Sequence, residues 1–269
     1  MSRAEKLERG DVQDNEKAAS KTTQRPPGPL TRLWTATRPA LTGMDAPSFI
    51  VPIAACVSML LVHYHGRRGS FRRIVGDRFA EWPLTEIHPH MYWFLAAFLV
   101  YGVLPLLIVL LMPKEKLRDY GLGLGDWRLG LKITAFFFVV MVPLVVFASR
   151  LSDFSSTYPM SRGALLSWNH FVVYQTGYAA YFIGWEFLFR GFLLFGLYKR
   201  IGNQAIWVQL IPFVVLHAGK PELEAYGSII AGIALAVLAL RTRSFWYGAV
   251  LHAAVATTMD VVSSWGRIG

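Results

Sequence analysis

The stretch GWEFLFRGFLL, residues 184–194, places a carboxylate and a guanidinium among aromatic and aliphatic side chains. Glu186 and Arg190 stand four residues apart, which brings them to one face of a helix with the acid on the N-terminal side, the better order for an ion pair. Ionisable side chains inside an apolar helix are costly unless they are paired or face water. The pair therefore indicates either a functional site or an ion pair that fixes helix packing.

The composition of the chain is that of a membrane protein. Of its 269 residues, 54% are hydrophobic and only 16% are charged, which is too apolar for an ordinary soluble domain. A hydrocarbon core of about 30 Å requires roughly 20 apolar residues per helix. We predict an all-α fold, a polytopic transmembrane helical bundle with about seven spans. The predicted spans are residues 48–64, 91–112, 131–148, 169–198, 203–217, 226–240 and 245–263.

The chain divides into three segments that differ in composition. Residues 1–46 mix charges of both signs with few apolar side chains and contain RPPGP, so we predict a polar, disordered cytoplasmic tail. Residues 47–165 are predicted to form N-terminal transmembrane helices and loops, and residues 166–269 a core that carries the polar site. The single cysteine, Cys56, lies in an apolar run and is predicted to be a buried packing residue.

The net charge of +10 is explained by topology and lipid headgroups rather than by nucleic acid, because the basic residues lie in the tail and between the spans. With the tail in the cytoplasm, the tail and the loops on the cytoplasmic side of the bilayer hold 17 Lys and Arg. The segments outside the spans on the other side hold 9. We predict an integral protein of the plasma (inner) membrane with a cytoplasmic N-terminus. The bilayer is its expected partner, and no nucleic acid is.

Two histidines on other predicted helices accompany this pair. His217 ends an apolar run just before a turn, and His252 lies about two turns inside the last apolar helix. Each alone has an ordinary interpretation, as an interfacial or capping residue or as a hydrogen-bonded core residue. Together with Glu186 they supply what metal-assisted hydrolysis needs, because imidazoles hold a divalent ion such as zinc and a carboxylate takes a proton from bound water.

Positions along the helices support part of this convergence. Glu186 and His217 are each about 15 residues from the turn near Gly202, which is about 22 Å. They therefore lie at one level. His252 is only about nine residues, or about 13 Å, past the turn RTRS at residues 241–244, so it joins them only if that turn lies deeper or its helix tilts.

Asp260 lies about 25 Å along the last helix, close to the level of Glu186 and His217. It could accept a hydrogen bond from His217 and so orient a metal-bound imidazole. It could equally be an interfacial aspartate near the helix end, hydrated or paired with Lys220. Both interpretations stay open from the sequence.

These residues resemble the motifs of the CPBP (CAAX protease and bacteriocin-processing) intramembrane metalloproteases. The first motif of that family, Glu-Glu-x-x-x-Arg followed by Gly, is matched at Glu186, Arg190 and Gly191. The second motif, Phe-x-x-x-His, is matched at Phe213 and His217. The order and spacing of these motifs make the resemblance fairly specific.

The third motif, His-x-x-x-Asn/Asp after a Trp-containing turn, is matched at Trp246 and His252, so the resemblance covers roughly residues 169–263. It implies a helical membrane protease whose cavity admits water and a peptide segment. In the family the first Glu and the histidines are taken to activate water, and the Arg to support the site. Here Trp185 stands in place of that Glu and Ala256 in place of the Asn or Asp.

Two functions remain open. The first is an intramembrane endopeptidase acting on a membrane-associated peptide or protein, in which His217 and His252 bind a divalent metal, Glu186 acts as base or orients water, and Arg190 holds Glu186 or a substrate carbonyl. The second is a non-catalytic relative that binds or escorts a membrane partner, with Glu186 and Arg190 as a structural ion pair. A proton-relaying transporter is a third hypothesis, for which no inverted repeat is visible.

Overall fold

The computed structural model describes residues 28–268, and every regular element among them is helical. This confirms the all-α prediction. Eight helices are numbered here in chain order: α1 Pro29–Leu41, α2 Ala46–Gly66, α3 Thr85–Leu111, α4 Trp127–Ala148, α5 Trp168–Ile201, α6 Gln204–Val215, α7 Glu222–Thr242 and α8 Trp246–Ser263. Shorter helical turns, among them Phe71–Ile74 and Ser152–Thr157, lie in the connections.

Five of these helices, α2, α3, α4, α5 and α7, are long and apolar enough to cross a membrane. The other two predicted spans coincide with α6 and α8. Helix α6 has 12 residues, about 18 Å, which is shorter than the hydrocarbon core. Helix α8 has 18 residues and includes His252 and Asp260, which make it less apolar. The chain is an integral membrane protein, and seven crossings, the membrane it occupies and its orientation stay predictions.

Part of the predicted tail is helical. Helix α1 begins at Pro29, the last residue of RPPGP, where the missing N–H is not needed, so this proline starts the helix and does not interrupt it. Residues 1–27, for which disorder was predicted, lie outside the described residues. The chain divides into two compact units between Met44 and Asp45. The predicted boundary at residues 165–166 stays a prediction, and α5 begins two residues later.

Helix α5 is the centre of the larger unit. In its most apolar window 89% of the residues are buried, against 17% to 33% in the other four candidate spans. The outer helices present large apolar side chains outward, as Val139 and Ile230 do. Cys56 is also exposed, on α2, so its predicted packing role is wrong, because that face of α2 is turned away from the core. Polar groups on α5 are thus shielded by protein.

Helix α5 changes its winding at the polar pair. It is α-helical to Glu186 and π-helical from Phe187 to Phe195. Such stretches are rare and occur often at functional sites. Just before the change, Gly184 crosses α3 so closely that a Cβ atom there would lie 2.8 Å from the Cα of Phe98. The crossing fixes the height of the pair within the bundle.

The turn between α7 and α8 lies deep in the bundle. The backbone N–H of Phe245 donates to the carbonyl of Gly121 at 3.1 Å, and the indole of Trp246 donates to the carbonyl of Leu122 at 2.9 Å. The ring of Phe245 packs on Phe187, which is about 15 residues from the turn at Gly202. Helix α8 therefore starts near the middle of α5. This is the condition under which His252 reaches the level of Glu186.

Candidate active site

A cavity of about 750 Å³ opens at the end of the bundle where α2 ends and α7 begins. Its wall is largely aromatic, formed by Trp93, Tyr101, Tyr178, Tyr181, Phe182 and Trp185. Its polar lining consists of His63, His217, His252, Arg67, Arg68, Lys220, Glu224 and small hydroxyl side chains. The cavity is thus apolar along its walls and rich in cations and imidazoles, with a single carboxylate, Glu224.

The predicted ion pair is present beneath this cavity. Arg190 Nη1 donates to Glu186 Oε1 at 2.9 Å, and both side chains are fully buried. The guanidinium also lies 4.1 Å from the centre of the Phe213 ring and donates to the carbonyl of Gly232 at 3.4 Å. Its cation is therefore held by a carboxylate, a carbonyl and an aromatic face, as a buried charge requires.

His252 contacts the same carboxylate. Its Nδ1 lies 2.7 Å from Glu186 Oε1. Because an ionised carboxylate can only accept, Nδ1 carries the proton and Nε2 keeps its lone pair. The ring packs on Phe182 with 4.3 Å between centroids, and 18% of the side chain is exposed. Glu186 therefore fixes both the tautomer and the orientation of His252, while His252 itself lines the cavity.

His217 is held in a similar way, by a backbone carbonyl. It follows the end of α6, and its Nδ1 lies 2.7 Å from the carbonyl oxygen of Phe213, so Nδ1–H donates and Nε2 keeps its lone pair. The imidazoles of His217 and His252 are 6.3 Å apart between centroids and nearly parallel, with 14° between their planes. Both line the cavity. The predicted convergence of Glu186, His217 and His252 is thus present.

The carboxylate of Glu186 does not face the cavity. Its Oε1 accepts from Arg190 and His252, and its Oε2 is buried without a partner among the described residues. Gly248 of α8 lies directly against Oε2, where a Cβ atom would come within 3.0 Å. With no exposed oxygen, Glu186 has no access to water in this arrangement. This arrangement does not place Glu186 against cavity water, and its predicted role as base or water-orienter stays a prediction.

Two positions that carry acid or amide groups in the family are apolar here. Trp185 lines the cavity, stacks on Tyr181 and meets the edge of His217 at 5.8 Å between centroids. Its indole N–H is buried with no partner among residues 28–268. Ala256 is buried. The imidazoles therefore have an indole and a methyl group as neighbours in place of a second carboxylate and an amide.

The predicted zinc site does not fit this donor set. Catalytic zinc usually takes three protein ligands, whereas His217 and His252 supply two. Within the described part of the chain, no group of three His, Cys, Asp or Glu side chains could hold a metal ion. Glu186 cannot be the third, because its oxygens are buried and one is shared between Arg190 and His252. No catalytic step is therefore assigned to a metal.

Asp260 belongs to a separate polar cluster. It is fully buried on α8, its Oδ2 accepts from Gln175 Nε2 at 2.8 Å, and Gln175 Oε1 accepts from Thr257 at 3.0 Å. The described contacts include no hydrogen bond between Asp260 and His217, whose Nδ1 is bound to Phe213. The side chain turns toward Gln175 of α5, and its full burial disagrees with a hydrated interfacial residue. Its predicted role beside His217 and the alternative pairing with Lys220 stay predictions.

Sequence reasoning missed the polar group at the cavity rim. Tyr158 donates to Glu224 at 2.6 Å, and Lys220 donates to the Tyr158 hydroxyl at 3.0 Å. Burial lowers the pKa of Lys220. Lys220 and Glu224 are only four residues apart, but Tyr158 lies more than 60 residues before them, so no local spacing joins it to the other two. By contrast, Tyr178, Tyr181 and Trp185 recur at helical spacing, which could have indicated the aromatic wall.

Comparison with known proteins places this site within one matched segment. Residues 167–258 match the family described as type II CAAX prenyl endopeptidase Rce1-like. No curated protein and no solved structure matches the chain. The matched segment begins at the cap of α5 and contains Glu186, Arg190, His217 and His252. The helices that carry these four residues are therefore similar to the Rce1-like family, in agreement with the resemblance to the CPBP family drawn from their motifs.

Proposed function

We propose that the protein is an intramembrane endopeptidase in which His252 acts as the general base on water in the cavity. One observation carries the proposal: two cavity-lining imidazoles have their Nδ1 atoms bound and their Nε2 atoms available, and one of them is oriented by a buried carboxylate. A histidine within reach of water is the commonest general base in enzymes. The family similarity supports peptide hydrolysis as the reaction class.

In the proposed reaction, a water between the imidazoles gives a proton to His252 Nε2 and attacks the peptide carbonyl carbon. The proton then passes from Nε2 to the leaving amine. Glu186 is a positioning residue, because it holds Nδ1–H and touches neither water nor substrate. Arg190 donates to the same oxygen of Glu186, so much of the carboxylate charge is compensated before His252 is protonated.

The substrate that fits the cavity is a peptide segment of a membrane-associated protein. Aromatic walls bind apolar side chains or a lipid modification, and the open end admits water and polar backbone. The family description names CAAX prenyl endopeptidases, so a prenylated peptide is one candidate substrate and an unmodified membrane peptide is another. Arg67, Arg68 and Lys220 at the rim favour substrates without excess positive charge.

Trp185 and Ala256 favour a second candidate, a non-catalytic protein that binds the same peptides. The indole covers the edge of His217, and neither position offers the acid or amide of the family motif. A cavity with aromatic walls binds a peptide without hydrolysing it when no group activates water. Both candidates bind the peptide, and only the endopeptidase cleaves it.

The test uses the purified full-length chain in liposomes with a mixture of farnesylated and unmodified peptides, and mass spectrometry to detect new amino termini. We expect cleavage by the wild-type protein and a loss of about 10²- to 10⁴-fold in His252→Gln. The matched control is His63→Gln, which changes an imidazole of the same cavity outside the proposed machinery. Equal cleavage by His252→Gln contradicts the base, and peptide binding without cleavage by the wild type favours the second candidate.

A further inference from the structure

Helix α1 has two distinct faces. At 100° per residue, Leu30, Leu33 and Trp34 fall within about 100° of one another around the helix axis. All three are more than half exposed, at 81%, 61% and 57%. Thr31, Arg32 and Thr35 lie on the other side of the helix, and Arg38 flanks the stripe about 40° from Trp34. An apolar stripe of this width needs an apolar surface to cover it.

The charge of α1 indicates which surface that is. The helix contains two arginines and no acidic residue. Basic amphipathic helices with Trp and Leu on the apolar face bind anionic lipid surfaces, where the rings and aliphatic groups enter the acyl boundary. A protein partner with an acidic rim is negatively charged, as an anionic lipid surface is, so charge alone does not choose between them. The position of α1 in the chain decides.

Chain connectivity keeps α1 near the bilayer. Only residues 42–45 separate its end from α2, the first helix able to cross a membrane. Four extended residues reach at most about 14 Å. Asp45 caps α2 by accepting from the backbone N–H of Ser48 at 3.1 Å, so α2 begins at the next residue. The C-terminal end of α1 therefore stays within reach of the headgroup region.

We propose that α1 lies in the membrane interface, with Leu30, Leu33 and Trp34 in the acyl boundary and Arg38 at the phosphates of anionic lipids. This gives the chain a lipid-binding surface outside the unit that contains the cavity. It does not depend on the proposed hydrolysis. The arrangement makes the depth of α1 in the bilayer sensitive to lipid charge.

The experiment uses the full-length chain with Cys56→Ala, which removes its only cysteine. Single cysteines at Leu33→Cys or Thr35→Cys carry a nitroxide, and Val139→Cys on α4 reports insertion of the bundle as a control. The labelled proteins are reconstituted in phosphatidylcholine vesicles with or without phosphatidylglycerol. Collisions with oxygen report a lipid environment, and collisions with a water-soluble nickel chelate report water.

We expect the label at position 33 to favour oxygen and the label at 35 to favour nickel, most clearly with phosphatidylglycerol. Replacing Arg38 by Gln should weaken interfacial binding about fivefold in those vesicles only. Nickel access at both positions in both lipids overturns the proposal. Shielding at 33 with spin coupling between copies also overturns it, because α1 would then pair with a second chain.

Discussion

Helix α5 carries two clusters of opposite charges that differ in their surroundings. Near its middle, Arg190 and Glu186 are fully buried and 2.9 Å apart. At its end, Arg200 binds Asp45 and Glu115, each at 2.6 Å, and Asp45 is about half exposed. One cluster is enclosed by the bundle, whereas the other joins the start of α2, the connection after α3 and the end of α5 at the surface.

The difference separates what each cluster does. Exposed ion pairs contribute about 0 to 1 kcal/mol, because water screens them. A buried pair gains little over an apolar pair of the same shape, yet removing one partner is strongly destabilising. A buried pair therefore needs another reason to be present, and here that reason is His252, which shares the carboxylate of Glu186. The end cluster holds neighbouring segments of the chain together. The middle cluster orients His252, the proposed general base.

The largest expected effect is that of Arg190→Ala. The change leaves Glu186 buried without its cation, which should lower the free energy of unfolding by about 3 to 5 kcal/mol. Reversible unfolding in mixed micelles measures it. The control is Lys199→Ala near the end of the same helix, whose side chain is about half exposed and pairs with Asp119 at 3.0 Å, so we expect about 0 to 1 kcal/mol. Equal losses in the two variants would show that the middle cluster is hydrated and the comparison wrong.

Glu186→Gln should have the next largest effect. The amide keeps an acceptor for His252 but removes the charge opposite Arg190, so we expect a stability loss of about 1.5 to 3 kcal/mol, as for a hydrogen bond to a charged group. The turnover number should fall about tenfold or more, because the tautomer of His252 is no longer fixed. KM should stay unchanged. A rise in KM with unchanged turnover would place Glu186 in substrate binding.

Much of the buried cluster could be predicted from the sequence. The four-residue spacing of Glu186 and Arg190 is a property of one helix, so the ion pair follows from local geometry. The shared level of Glu186 and His217 follows from counting residues back to one turn. His252 could not be placed in this way, because its height depends on the turn at Phe245, which packs against distant segments of the chain.

The direction of each side chain was the part that sequence could not provide. The π-helical winding from Phe187 changes the faces of α5 beyond Glu186, and no hydrophobic pattern indicates it. Glu186 itself faces Arg190 and His252, and its contact with His252 depends on how α8 packs against α5. Asp260 is similar: counting gave its level, but its partner Gln175 lies 85 positions away in the chain. Tertiary packing decides such contacts.

A smaller effect is expected from Gly248→Ala, which sharpens the role of packing around the buried cluster. The added Cβ would lie 3.0 Å from Glu186 Oε2, so the carboxylate or α8 must shift by a few tenths of an ångström. We expect a stability loss of about 1 kcal/mol and a measurable fall in peptide cleavage. Gly227→Ala is the control, because nothing lies within 4 Å of its Cβ position. Identical behaviour of the two variants would contradict close packing on Glu186.

The smallest effect concerns Asp119, which accepts from Lys199 at 3.0 Å in the end cluster. That hydrogen bond lowers the pKa of Asp119. A folded pKa below the unfolded value of about 3.9 means that the contribution is complete above that pH and disappears as the pH falls through the folded pKa. Asp119→Asn should therefore cost about 0.2 to 1 kcal/mol near neutral pH and nothing in strong acid, measured by unfolding across pH. Lys199→Gln should show the same profile, and a cost of Asp119→Asn that persists in strong acid would show that Asp119 acts through packing and not through its charge.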